Sequence, residues 1–304
     1  RTGTRRQSGV RRESLKNLKF KVSSLKQHLA IGLAFAGAVT LATAADSSLE
    51  SALTFYASFD SGTDADLAKG DKRLFTLVDK QPKAGNHTEG MTRLAKGKGL
   101  SGGALHFTKR KAKWLLYDGA NNFRFAEKDW SGTVSFWLKV DPVNELDPGY
   151  VDPIQITPNT WNDASFFVDF NKDGNPRAFR LGAFADRAVW NPTKKEVPEP
   201  QRPLVPAKSH PFSKDKWTHV AFTWERFNTG KKDGVAMLYL NGKKEGSITG
   251  WNQQFSWGGK EHRILIGLNY MGLFDELACF NRALSAKEIR RIHTHQATLA
   301  KLLK

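Results

Sequence analysis

From Leu53 onward, apolar and polar residues alternate in short runs broken by Gly, Pro, Asn and Asp. A period of two turns one face of a strand inward, whereas a helix would repeat every three to four residues. The pattern predicts strands over 53–59, 102–107, 114–117, 133–140, 165–170, 177–184, 217–224, 235–240, 243–248, 263–267 and 274–280. Two turns are explicit. Asn171–Asn175 closes a hairpin with Asp173-Gly174 at its tip, and Asn241-Gly242 offers the positive φ angles of a two-residue loop. One helix is signalled: Ser285-Ala-Lys-Glu288 is a capping box, and Ile289, Ile292 and Leu299 follow on a loose apolar side. Residues 191–211, proline-rich and aperiodic, read as a surface excursion. The element count predicts an all-β chain: a two-sheet antiparallel sandwich with a short C-terminal helix, forming one domain over residues 45–304.

Composition changes this picture at the N-terminus. Nine of the 47 Lys and Arg and one of the 30 Asp and Glu lie in residues 1–44, leaving 38 against 29, or +9, for the rest of a chain that carries +17 in total. The basic stretch runs into the apolar segment Leu29–Leu41 and then Ala42-Thr43-Ala44, the three parts of a secretory signal peptide. Thirteen residues make about 20 Å of helix, short of a hydrocarbon core of about 30 Å. Cleavage is therefore expected, with membrane attachment only if the leader is retained. Arg11-Arg12 partly resembles a twin-arginine export signal but lies far from the apolar stretch. The expected location is secreted, periplasmic or on the cell envelope. A single cysteine, Cys279, sits in an apolar run, so no disulfide can form within the chain and a buried thiol is expected. The basic balance suits an anionic polysaccharide as partner. Nucleic acid is not expected, because no basic run interleaves with aromatics.

Several segments in series resemble the laminin G-like and concanavalin A-like lectin domains. Lys216–Trp224 followed by Met237–Gly242 resembles their central "W-x-H-V-A-x-T … L-Y-x-N-G" signature, and Gly272–Ser285 resembles their "D-E … (Y/F)-N-R-A-L-S" ending. Phe55–Asp60, Gly103–Phe107 and Thr133–Leu138 resemble the strands before it. The likeness spans about Leu53 to Ile292 and is weakest over 141–215. It implies a jelly roll with its first and last strands close together. It also implies a Ca²⁺ site at that junction, which by position would use Asp60 and Asp275, with Glu276 as a further ligand and Asp64 and Asp66 nearby. The fold itself hosts lectins, adhesion modules and glycanases, so it does not choose among them.

The candidate chemistry is sparse. A retaining glycanase needs two carboxylates about 5 Å apart, and no E-x-D-x-E run occurs on a predicted strand. Asp275 and Glu276, as strand neighbours, are expected on opposite faces. No G-x-S-x-G, H-E-x-x-H or P-loop motif is present. Asp169-x-Asn171-x-Asp173-Gly174 imitates an EF-hand start, but Arg180 stands where the bidentate Glu belongs, so a hairpin is the reading. Sugar rings stack on exposed aromatics, and the loop residues Trp161, Trp190, Trp251 and Trp257 are the candidate platforms. Trp137 and Trp217 are expected to pack. The expected function is a non-catalytic module that binds carbohydrate or another extracellular polymer. A glycanase with an unrecognised site and a structural or adhesion protein remain the alternatives.

Overall fold

The computed structural model describes residues 48–110, 112–258, 262–295 and 299–300. The expected leader lies outside them, as does most of the tail. Chain order begins with β1 (Leu53–Ala57), β2 (Leu67–Ala68), β3 (Phe75–Val78), β4 (Gln81–Ala84), β5 (Thr92–Ala95) and β6 (Ala104–Phe107). It continues through β7 (Leu115–Asp118), α1 (Ala120–Phe123), β8 (Trp130–Lys139), β9 (Val151–Thr157), β10 (Ser165–Gly174), β11 (Arg177–Phe184) and α2 (Arg187–Trp190). It ends with β12 (Leu204–Pro206), β13 (Thr218–Phe227), β14 (Gly234–Leu240), β15 (Lys243–Trp251), β16 (Arg263–Leu268), β17 (Gly272–Phe280) and α3 (Ala286–Thr294).

These strands make two antiparallel sheets. The first runs β15-β14-β13-β8-β17-β1-β2, with β6 also on β17 and β5 on β6, and the second runs β12-β11-β10-β9-β16-β7-β3-β4. Alternation explains the packing. Val134, Phe136 and Leu138 of β8 and Val220, Phe222 and Trp224 of β13 face Phe166, Val168 and Phe170 of β10 and Phe179, Leu181 and Ala183 of β11 across one buried core. The expected all-β sandwich is what forms, and β1 pairs with β17, so the first and last strands adjoin.

The two outer faces differ. On the first sheet, Tyr56, Ala221, Tyr239, Ala278 and Phe280 pack under Ile289 and Ile292 of α3 and under Leu49 and Ala52 of a helical turn at 48–52. The capping box forms as expected: the Glu288 N–H donates to Ser285 Oγ at 3.3 Å, and the Ser285 N–H donates to Glu288 Oε2 at 2.8 Å. Arg282 holds Glu288 from below at 2.6 Å. On the second sheet, the outer apolar cluster of Leu116, Leu265 and Leu268, with Phe75 and Leu77, is built from strand residues alone.

Besides the unpredicted strands β2 to β5, three features differ from the sequence pattern. Gly174 pairs with Arg177, so Asn175-Pro176 forms the hairpin tip and Asp173-Gly174 belongs to the strand. Strand β12 lies inside the proline-rich excursion, pairing Val205 with Leu181. Strand β9 was masked by Pro153, which removes a ladder donor. The proline sits where the register with β10 slips, between Ile154↔Val168 and Val151↔Phe170.

Candidate recognition site

Strand β17 carries a bulge where it passes β1. Asp275 pairs with Trp137 and Ala278 with Ser135, so β17 spends one residue more than β8, and Glu276 has φ +54°. Phe274 and Leu277 both point into the core between the sheets. Asp275 and Glu276 between them therefore point away from it on the same side. Strict alternation had sent them to opposite faces; the bulge is why it fails. The Leu100 N–H donates to Asp275 Oδ2 at 2.7 Å, and the Tyr56 hydroxyl donates to Glu276 Oε2 at 2.5 Å. Burial drives the Asp275 carboxyl up to about 9, against the Leu100 N–H and with help from Glu276 and Asp60. Burial likewise raises Glu276 to about 7, opposed by the Tyr56 hydroxyl and reinforced by Asp60 and Asp66.

Asp60 completes this junction from the turn after β1. The loop 99–103 is pressed against it: a Cβ on Gly102 would lie 2.3 Å from Asp60 Oδ1, and one on Gly103 would lie 2.4 Å from the Phe59 carbonyl oxygen. The junction thus gathers carboxylates and main-chain carbonyls, the donor types that Ca²⁺ takes in sets of six to eight. Among the described residues no three Asp, Glu, His or Cys side chains converge as a ready ligand set. A cation here would draw most of its oxygens from carbonyls and water. The donors fit Ca²⁺ in kind.

The four candidate tryptophans do not form one site. Trp257 is 1% exposed, edge-on or tilted against Trp130, Phe123 and Phe255, and its Nε1 donates to the Ala164 carbonyl at 2.8 Å. It is a core residue, because both its faces and its one polar atom are already used. Trp190 is half-buried, its ring 5.0 Å from Phe184 and its Nε1 bonded to the Asn162 carbonyl. Trp251 ends β15 at the edge of the first sheet, half-buried against the core. The Nε2 of nearby Gln253 donates to the Ala183 carbonyl. Trp161 alone presents a large surface, 42% exposed, with its edge against Phe184 and Phe167.

The structure adds two residues that sequence reasoning missed. Trp114 is 42% and Tyr150 44% exposed. Trp114 immediately precedes β7, Tyr150 immediately precedes β9, and Trp161 joins β9 to β10, all in the second sheet. Trp114, Leu77, Thr157, Pro158, Asn159, Arg263 and Leu265 line a cleft of about 410 Å³. A tryptophan opening an apolar run reads as packing, and nothing local signals that its ring stands exposed beside the outer face of the second sheet. Nearby, Asp169 and Arg180 form a buried pair on β10 and β11. Arg180 Nε donates to Asp169 Oδ1 at 2.8 Å, a terminal nitrogen donates to Oδ2, and the other lies 2.8 Å from Glu199 Oε2. The EF-hand-like run is thereby explained as a hairpin whose first Asp is held by Arg180.

A family model described as the concanavalin A-like lectin/glucanases superfamily matches residues 117–290. The chain belongs to this superfamily. A search of the curated proteins found no match. Among solved structures, domain 4 of AbnA, a GH43 extracellular arabinanase from Geobacillus stearothermophilus, in complex with arabinotriose, is similar at TM-score 0.50 and 18% identity, covering 80% of this chain and 98% of that one. The binding domain of Paraclostridial Mosquitocidal Protein 1 is similar at TM-score 0.53 and 16% identity, covering 82% of this chain and 53% of that one. The chain thus spans about half the length of the second. Both similarities concern the fold.

Proposed function

We propose that the chain is an exported, non-catalytic carbohydrate-recognition module that takes its glycan on the outer face of the second sheet. One observation carries this reading: the exposed rings of Trp114, Tyr150 and Trp161 all border that face, while the first sheet's outer face is packed under α3. Aromatic rings bury the apolar faces of sugars, and a few polar groups beside them fix orientation. The arabinotriose on the arabinanase domain supports carbohydrate as the partner class. Export rests on the leader over residues 1–44.

The test is a glycan array probed with the chain, followed by Trp114→Ala and Trp161→Ala. Each substitution is expected to weaken binding about tenfold or more, with melting unchanged, as for exposed aromatic anchors. Undiminished binding in both variants would sink the reading. Silence across the array would favour the structural or adhesion alternative.

Ca²⁺ is part of this proposal. Asp60 and Asp275, with Glu276, would hold it together with main-chain carbonyls, and it would supply charge neutralisation that locks the β1–β17 junction. Adding Ca²⁺ at a hundredfold excess over its Kd is expected to stabilise by about 2.7 kcal/mol, a melting shift of about 5–10 °C. Chelator should reverse the shift and Asp60→Asn should abolish it; identical melts with Ca²⁺ and with chelator would remove the metal.

A glycanase is the second reading, because Asp152 and Asp169 lie on adjacent strands of the proposed face and sense each other's charge. The bidentate hold of Arg180 on Asp169 argues against it, since a nucleophile needs a free oxygen. Release of reducing sugar from polysaccharide would decide for the enzyme.

A further inference from the structure

The proposed face has two ends. Trp114 and Arg263 flank the cleft at one of them. At the other, Tyr150 stands over the Arg180 guanidinium, 5.2 Å from Cζ to the ring centroid. Arg180 is 4% exposed and is held by both Asp169 oxygens and by Glu199. A guanidinium engaged in this way cannot fork to a ligand carboxylate or sulfate without giving up a chain carboxylate. Three carboxyls, those of Asp152, Asp169 and Glu199, surround this one cation. The charge of Arg180 is thus already spent on the chain's own carboxylates.

Two side chains here have hydrogen-bonding capacity to offer. Gln155 lies between Ile154 and Ile156, which both enter the core, so its side chain points to the outer face. It is 7% exposed, and among the described residues its amide has no hydrogen-bond partner. That amide is free to pair with a ligand hydroxyl, since the group both donates and accepts. Asp152, half-buried at the β9 bulge, is the second. Burial and the charge of Asp169 push its carboxyl well up from the ordinary carboxylate range, against the pull of Arg180; the rise favours the protonated form, which both donates and accepts.

We propose that this end of the face is a subsite for an uncharged sugar ring, with Tyr150 as the stacking platform and Gln155 and Asp152 as hydroxyl partners, and that it disfavours anionic sugars. The inference rests on the glycan-recognition reading above and replaces the anionic polysaccharide suggested by composition.

The experiment is calorimetric titration of the chain with arabinotriose, xylotriose and cellotriose against trigalacturonate. Wild type is compared with Tyr150→Ala, Tyr150→Phe and Gln155→Ala, each checked for an unchanged melting curve. At least one neutral trisaccharide is expected to bind, with trigalacturonate about tenfold weaker or worse. Tyr150→Ala should weaken neutral binding about tenfold and Gln155→Ala about fivefold, while Tyr150→Phe, which keeps the ring, should stay within about threefold. Tighter, salt-sensitive binding of trigalacturonate would overturn the charge selection. Neutral binding that is lost in Trp114→Ala and Trp161→Ala but unchanged in Tyr150→Ala and Gln155→Ala would overturn the subsite and leave the face standing. No binding of any sugar would overturn both.

Discussion

Gly267→Ala is expected to destabilise the fold by about 2–5 kcal/mol, a large share of the roughly 5–15 kcal/mol that holds a domain together. Gly267 lies in β16 with φ +77°, a region that costs an L-residue about 1–2 kcal/mol. The added Cβ would also fall 1.9 Å from the ring of Phe107, which belongs to β6 of the other sheet. Phe107 cannot retreat, because it is buried with its ring 5.7 Å from that of Tyr270. Overpacking of this kind costs about 1–3 kcal/mol more. Urea denaturation gives the total, and a double-mutant cycle with Phe107→Ala separates the parts. In the Phe107→Ala background the added cost of Gly267→Ala should shrink toward the backbone strain alone. Gly62→Ala is the control, with nothing within 4 Å of its Cβ. If Gly267→Ala proves no worse than Gly62→Ala, the account of the sheet-to-sheet contact is wrong.

Acid should undo the fold partly through His219. Its ring is fully buried beneath Trp137, 4.9 Å between centroids, and Nε2 shares a hydrogen bond with Ser135 Oγ at 2.9 Å. Burial, with a smaller push from His293, lowers its pKa to about 3. An unfolded histidine titrates near 6.5, so between those values only the unfolded chain takes up the proton. The contribution of His219 is fully present above pH 6.5 and is lost as pH falls toward 3. At about 1.4 kcal/mol per pH unit the loss approaches 5 kcal/mol. Asp275 and Glu276 act in the opposite sense: their raised values make stability fall as pH rises through about 4 to 9. The comparison is therefore between wild type and His219→Leu, across pH and in chelator. The wild type should lose stability relative to the variant as pH drops from 7 to 4. A His219 ring that titrates near 6.5 by NMR would contradict this.

Much of the sandwich was legible locally. The strands at 133–140 and 217–224 alternate cleanly because each buries one face, and Val134, Phe136, Val220 and Phe222 sit where period two places them. The Ser285–Glu288 box was legible because its bonds are made within four residues. Strand β9 was not, because its proline is tolerated only through a bulge that the pairing with β10 creates. The same limit hid the shared side of Asp275 and Glu276. Trp257 was misplaced among the sugar platforms, since a loop position does not say whether an aromatic turns into the core.

The sequence by itself determined the all-β class, the order of most strands, the capped helix and the membership in a lectin-like superfamily, since these follow from period, turn chemistry and short motifs. Only the tertiary structure decided that Trp114, Tyr150 and Trp161 border the outer face of the second sheet, and that Arg180 is consumed by Asp169 and Glu199. Those properties arise from strands distant in sequence being brought side by side. Exposure and charge pairing depend on what lies across the sheet, and no local pattern carries that information.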